Sequence, residues 1–197
     1  MTLVPRLIDH DERQQEIAEA VWRVIRREGV SAVSVREVAA EAGLSSGSLR
    51  HIFASKAELL AYSMQLVHVR ARDRIVAHLS IPDARERALA VLGEVLPLDE
   101  TRRCEMEVNL ALVSESPAHP SLRKIALDAH DALRQGCIAV LTALAKEGLV
   151  SNDRDIEAEA IRLHALLDGL AMHLVLGDND SPDTAEAALA AHLDGLA

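Results

Sequence analysis

Apolar residues recur every three or four positions along almost the whole chain, and the gaps between these stretches hold helix caps and breakers. That period selects amphipathic helices and excludes strands, whose apolar residues alternate. Residues 11–27 put Ile17, Ala20, Val21, Val24 and Ile25 on one helical face, and Gly29 suits the C-terminal cap. Ser34 and Glu37 have the spacing of a capping box, which opens a short helix to about residue 41. Gly43 breaks that helix. Ser45 then caps a second short helix to Phe53, and Ser55 with Glu58 forms another capping box at the start of a helix reaching about Leu79.

The rest of the chain follows the same rule. Helices are expected at 82–96, 100–114, 121–147 and 155–176, with Gly148 and Gly177 as stops and Ser181-Pro182 opening a last short one. Aromatic residues make up only 2% of a chain that is 49% hydrophobic, a composition that favours helix packing over a sandwich of strands. The sequence therefore predicts an all-α protein. A three-helix N-terminal domain, residues 1–54, is joined by the long helix from Ser55 to a helical domain over residues 55–197.

No stretch approaches the roughly 20 apolar residues that a membrane span requires. The start, MTLVPRLIDHDER, has acidic residues where a signal peptide would be basic, so a cytoplasmic location is expected. Cys104 and Cys137 stand alone without CxxC spacing and read as buried free thiols. The net charge of −10 opposes general affinity for nucleic acid, but it is unevenly spread. Residues 1–60 hold eight Lys/Arg against nine Asp/Glu, and residues 61–197 hold thirteen against twenty-two. A local basic surface in the N-terminal part is compatible with that distribution.

Two short helices across a tight turn, packed on a longer first helix, make a helix-turn-helix. Leu49, Ile52 and Phe53 share the inward face of its second helix, while Ser46, Gly47, Arg50 and His51 share the other. In a DNA reader the exposed N-terminal half of this helix enters the major groove, where small residues admit base edges and phosphates. Arg50 suits guanine or phosphate, and Lys56 begins the next helix where a phosphate would lie. The alternative is a unit used only for packing, with residues 45–48 as a solvated cap.

The run from Ser34 to Leu60 resembles the DNA-binding domain of the tetracycline-repressor (TetR) family of bacterial regulators. The resemblance is carried by Val35, Val38, Ala39, Ala42, Gly43, Leu44, Ser45, Gly47, Leu49, Phe53, Ser55, Lys56 and Leu59. It implies that Ser34, Arg36, Ser45, Ser46, Gly47, Ser48, Arg50, His51 and Lys56 lie at or near DNA. It also implies a homodimer on a pseudo-palindromic operator, released by a small-molecule effector. The family's phosphate-contacting tyrosine is replaced here by Arg50, which is expected to inherit that role. Leu49-Arg50-His51 and the later LPLDETRRCEMEV are similar to the betaine-pathway repressor branch.

The segment 104–113 is apolar in almost every helical direction, which predicts a buried helix whose Glu105, Glu107 and Asn109 need partners. Salt bridges to Arg70, Arg102 or Arg103 are one answer and a ligand is the other. The family resemblance favours an effector site that includes Glu105, Met106, Asn109, Leu112, His68, Asp168 and Met172. Choline fits the composition poorly, because quaternary ammonium groups are held by aromatic cages and the chain has only Trp22, Phe53 and Tyr62. The expected effector is of moderate size and apolar, either neutral or cationic.

Helices 121–147 and 155–176 carry apolar stripes, Ile125, Ala129, Ala132, Leu133, Gly136 and Val140 on one, and Ile156, Ala160, Leu163, Leu167, Leu170 and Leu174 on the other. Gly136 and Gly169 inside them suggest close helix approach, either across a symmetric dimer or within one chain; Asp168 is expected to be buried or interfacial. His164 and His173 are out of phase on one helix, and His130 with Cys137 falls short of a zinc ligand set, so no metal or other cofactor is expected. No HExxH, GxSxG, phosphate-loop or dinucleotide fingerprint occurs, and an enzyme would have only a carboxylate pair such as Glu105 and Asp168 to build on. A helical interaction adaptor without sequence-specific DNA binding is the remaining alternative.

Overall fold

A computed structural model describes residues 10–177 and 181–197; the first nine residues of the N-terminal start read for targeting lie outside them. The described residues form nine α-helices with no strand among them. These are α1 (His10–Glu28), α2 (Val35–Glu41), α3 (Ser46–Ile52), α4 (Lys56–His78), α5 (Ala84–Gly93), α6 (Glu100–Glu115), α7 (Pro120–Lys146), α8 (Ile156–Leu176) and α9 (Pro182–Asp194). A single 3-10 turn at Val30–Ala32, which periodicity does not signal, links α1 to α2.

The caps act as their chemistry dictates. Ser34, Ser45 and Ser55 each accept a bond from the backbone N–H three residues on, at 3.0–3.1 Å. Glu58 returns the favour to the Ala54 N–H at 2.9 Å, one residue earlier than the standard box. Gly43 ends α2 in the left-handed region at φ 65°, with Leu44 N–H donating to the Ala39 carbonyl and Gly43 N–H to that of Ala40. This paired closure suits glycine because a Cβ is strained at positive φ.

The chain divides into two compact units, one comprising the residues up to Leu66 with Val108–Arg123, the other Val67–Glu107 with Lys124–Ala197. In the first, α2 packs on α1 and α3 packs on α2. Ile17, Val21, Val24, Val38, Leu49, Phe53, Leu59 and Leu60 are buried there. Trp22 donates from its indole to the Ser63 carbonyl at 3.1 Å, and Phe53 meets Tyr62 at 5.3 Å between ring centroids. All three aromatic side chains of the protein are thus spent on this core. Ile52, expected inside, is only half-buried.

The second unit closes on Leu92, Leu96, Cys137, Leu141, Leu144, Ala160, Leu163, Leu167, Leu189 and Leu193. The stripe read on α8 therefore faces the chain's own core, since Ala160, Leu163, Leu167 and Leu174 are buried within the protomer. The most apolar face of a helix goes to the nearest core, which leaves a second face outward. On α8 that second face carries Ile161, Ala165, Asp168, Met172 and Leu176, all exposed. A Cβ placed on Gly136 or Gly169 would meet nothing within 4 Å, so close packing inside the chain does not account for either glycine.

Cys137 is buried as expected, whereas Cys104 is only half-buried. Burial pushes the Cys137 thiol up to about 11, with Asp168 reinforcing and Arg134 opposing. Iodoacetamide at about pH 8 should therefore label Cys104 at least roughly tenfold faster than Cys137 in the native chain, a difference that denaturation abolishes. Equal native rates, read by peptide mass spectrometry, would contradict this burial.

Candidate nucleic-acid interface

The small, polar start of α3 is built for exposure. Ser45, Ser46, Gly47, Ser48, Arg50 and His51 are all exposed, while Leu49 between them is fully buried and anchors the helix. Ser45 and Ser48 are partly committed to each other, with their hydroxyls 2.9 Å apart, and Ser45 also caps the helix. Gly47 has no such duty. A Cβ there would meet only the Ser45 Oγ at 3.7 Å, an ordinary contact, so nothing in the protomer requires a glycine that costs about 1 kcal/mol against alanine within a helix. Keeping this surface low benefits only something that approaches from outside.

The cations around it divide into two groups. On α1, Arg23 and Arg27 converge on Glu41, with Arg23 Nε 2.6 Å from Oε1 and Arg27 Nη1 2.9 Å from Oε2. Hydrogen bonds from Arg23 and Arg27 hold the Glu41 carboxyl below its ordinary range. Arg13 is likewise paired with Glu16 at 2.9 Å. In contrast, Arg36 on α2, Arg50 and His51 on α3 and Lys56 at the start of α4 form no ion pair among the described residues. Ser34 and Arg36 are exposed at the start of α2, and Lys56 is half-buried. Four cation-capable side chains without an ion pair among the described residues thus lie on the helix-turn-helix of a strongly acidic chain, a grouping that residue counts over 1–60 cannot resolve.

The candidate effector residues are more scattered. Glu105 is buried, and its partner is Arg74 of α4 rather than Arg70, Arg102 or Arg103. Arg74 grips both Glu105 oxygens, at 2.8 and 3.3 Å, and reaches Glu94 Oε2 at 2.7 Å with its Nε. The sequence signal for this partner was the spacing of Arg70, Arg74 and His78, four apart along one face of α4. Glu107 pairs with Arg103 one turn away at 3.3 Å, as the salt-bridge reading expected.

Helix α6 is half-buried around most of its circumference rather than buried all round, and Val113 is exposed. Met106 packs against the core of the second unit and Leu112 is fully buried. His68 and Asn109 are half-buried. Asp168 and Met172 occupy the solvent-facing side of α8, which removes the buried alternative for Asp168 and leaves the interfacial one. Among the described residues no group of three or more His, Cys, Asp or Glu is arranged to hold a metal ion. No helix is long and apolar enough to cross a membrane.

Comparison with known proteins matches this division of labour. Residues 17–62 fit the model of bacterial regulatory proteins of the tetR family, and residues 84–197 fit that of the BetI-type transcriptional repressor C-terminal part. The transcriptional regulator PksA of Bacillus subtilis is 40% identical over 176 residues, covering 88% of this chain and 83% of that protein. BetI of Rhizobium meliloti is 27% identical, covering 95% and 89%. Among solved structures, a transcriptional regulator from Saccharomonospora viridis in complex with choline superposes with a TM-score of 0.81 at 33% identity, covering 91% of this chain and 94% of that one. A transcriptional regulator from Rhodococcus gives 0.80 at 29%, covering 93% and 95%. These relatives regulate transcription and are not enzymes, and this chain belongs with them to the tetracycline-repressor (TetR) family of bacterial transcriptional regulators, with a BetI-type C-terminal part.

Proposed function

We propose that this regulator is a cytoplasmic repressor that binds a pseudo-palindromic operator as a homodimer and leaves it when a small molecule binds. Residues 1–54 form the DNA-binding part and residues 55–197 the regulatory part. The reading rests above all on the four cation-capable side chains Arg36, Arg50, His51 and Lys56, left without ion-pair partners beside the low surface of Ser46 and Gly47. Ser34 and Ser45 shape the same surface by capping, and the Ser48 hydroxyl bonds that of Ser45.

The second copy docks on the outer face of α8, beside α7. Ile161, Met172 and Leu176 are exposed there, and Leu127 of α7 is exposed as well. Gly136 and Gly169 each cost about 1 kcal/mol of helix propensity with no packing reason inside the protomer, which supports a partner helix approaching them. Asp168 and Met172 belong to this contact more naturally than to an effector site.

For the effector, the choline held by the Saccharomonospora viridis protein is the obvious comparison. This chain argues for a different ligand. Its second compact unit contains no Trp, Phe or Tyr, and both Glu105 oxygens are already occupied by Arg74. A quaternary ammonium ion would find no aromatic cage there, and Glu105 is not free to face it. We assign a neutral, largely aliphatic effector to the regulatory part, with His68 and Met106 of the second unit as its contacts.

Gel-shift with the DNA upstream of the chain's own gene tests both parts. Retardation at low salt that millimolar choline leaves intact is the expected result. Absence of any retarded complex would sink the DNA reading, and release by choline would sink the neutral effector.

A further inference from the structure

The second unit contains a pair of histidines that the DNA-binding function leaves unused. His130 of α7 and His164 of α8 stack with ring centroids 4.6 Å apart and planes 39° apart. His164 is only 4% exposed, while His130 is open to solvent. Two charged groups act on His164. From α8, Asp168 Oδ2 lies 3.6 Å from its Nε2; from α7 comes Arg134, whose Nε is buried and has no hydrogen-bond partner. Burial lowers the affinity of His164 for a proton, Asp168 opposes this, and His130 and Arg134 add to it; the net shift is downward. Burial and its cationic surroundings thus hold the His164 ring toward its neutral form.

Its position gives the pair a consequence. Asp168 lies seven residues after Ile161 and four before Met172, on the same outer face of α8, and all three are exposed. The histidine cluster thus borders the apolar face where the second copy is placed. Closing that face takes water away from His130 and Asp168 and, by two-fold symmetry, brings a second identical cluster to the same interface. Each proton added to a ring is then a charge with less water and more like charge around it than in the separate protomer.

We propose that self-association of this regulator is proton-linked, with the neutral His130–His164 pair permitting the dimer and protonation of the pair opposing it. The proposal rests on the dimer reading given above. The separate protomer binds protons more readily than the dimer, so dissociation grows as pH falls below about 6.5, the ordinary histidine value, beneath which burial holds His164. Repression would thereby weaken in acid without any effector.

Sedimentation velocity on the full chain between about pH 8 and about pH 5, with circular dichroism confirming that helices persist, reads this directly. The dimer dissociation constant is expected to rise about tenfold for each linked proton whose affinity differs by one pKa unit between the two states. His130→Gln with His164→Gln should flatten that rise, whereas His192→Gln, which alters a histidine outside the cluster, should keep it. Should the double variant fail to fold, Asp168→Asn on the exposed side gives the second reading. Without the carboxylate that favours protonated His164, dissociation should move to lower pH. A dimer equally tight across the range, a pH response surviving in a folded double variant, or an unmoved or upward shift in Asp168→Asn would each overturn the proposal while leaving the dimer standing. A monomer already at about pH 8 would overturn the dimer reading itself, and the proposal with it.

Discussion

Arg50→Ala weakens operator binding by about ten- to a hundredfold, the range of 1–3 kcal/mol for a strong side-chain contact to DNA, while Ser46→Ala changes it by no more than about threefold. The contrast follows from what each side chain offers. Ser46 is the first residue of α3 and contributes a small exposed surface; the cap of that helix is Ser45, so removing the Ser46 hydroxyl leaves the helix start intact. Arg50 is exposed, carries no ion pair among the described residues and follows the buried anchor Leu49, so it stands on the outer side of α3. The mode of contact can also be separated. A phosphate contact should lower affinity for every sequence alike and reduce the slope of affinity against salt by about one ion, whereas a base contact should relax specificity at one operator position. Equal losses for Arg50→Ala and Ser46→Ala in gel-shift titrations would make Arg50 a bystander. The fold itself tolerates the change, because the Arg50 side chain has no partner among the described residues.

Most of the architecture was legible because local signals and global packing agree. Ser34, Ser45, Ser55 and Asp155 each cap the helix that periodicity places after them, and Gly29, Gly43 and Gly148 end helices at positive φ. The exposed residues of α3 were legible for the same reason, since a seven-residue helix with Leu49 inward has few other choices. What periodicity could not give was the use of each face when a helix has more than one apolar side. On α8 it found Ala160, Leu163 and Leu167, which bury in the chain's own core, and passed over Ile161, Met172 and Leu176, which remain exposed. The choice among candidate charge partners was less legible. Glu105 was expected to bond Arg70, Arg102 or Arg103, and it takes Arg74, one turn beyond Arg70 on α4, because spacing names a helix face and not which of its cations reaches across. Likewise, Arg23 and Arg27 count as basic charge in composition yet are neutralised by Glu41 once α1 and α2 pack.

Arg74→Met is expected to cost about 3–5 kcal/mol, the penalty for leaving buried carboxylates without their counter-ion. For a chain of this length that lowers the melting temperature by roughly 10 °C. Arg74 bridges Glu94 and Glu105, whose side chains are 10% and 4% exposed, and no other cation is seen on Glu105. Glu94 keeps His78 Nε2 at 2.8 Å and Arg102 Nη1 at 3.6 Å, so Glu105 suffers most. Adding Glu105→Leu to Arg74→Met should accordingly recover at least half of the loss, since apolar packing replaces a buried ion pair at little net cost. The pH dependence supplies an independent check. Burial pushes the Glu94 carboxyl up, but hydrogen bonds from His78 and Arg74 and the charge of Arg102 outweigh it and hold the group below its ordinary value. A lowered folded-state value stabilises the protein above the unfolded one, about 4.5, and that contribution fades as pH falls through the folded value. The variant loses part of this contribution, so its deficit against the parent should be full near neutrality and narrow below about pH 4.5. A deficit of constant size across that range would mean that Arg74 acts through the packing of its aliphatic stem, and a variant as stable as the parent would mean that both carboxylates reach water.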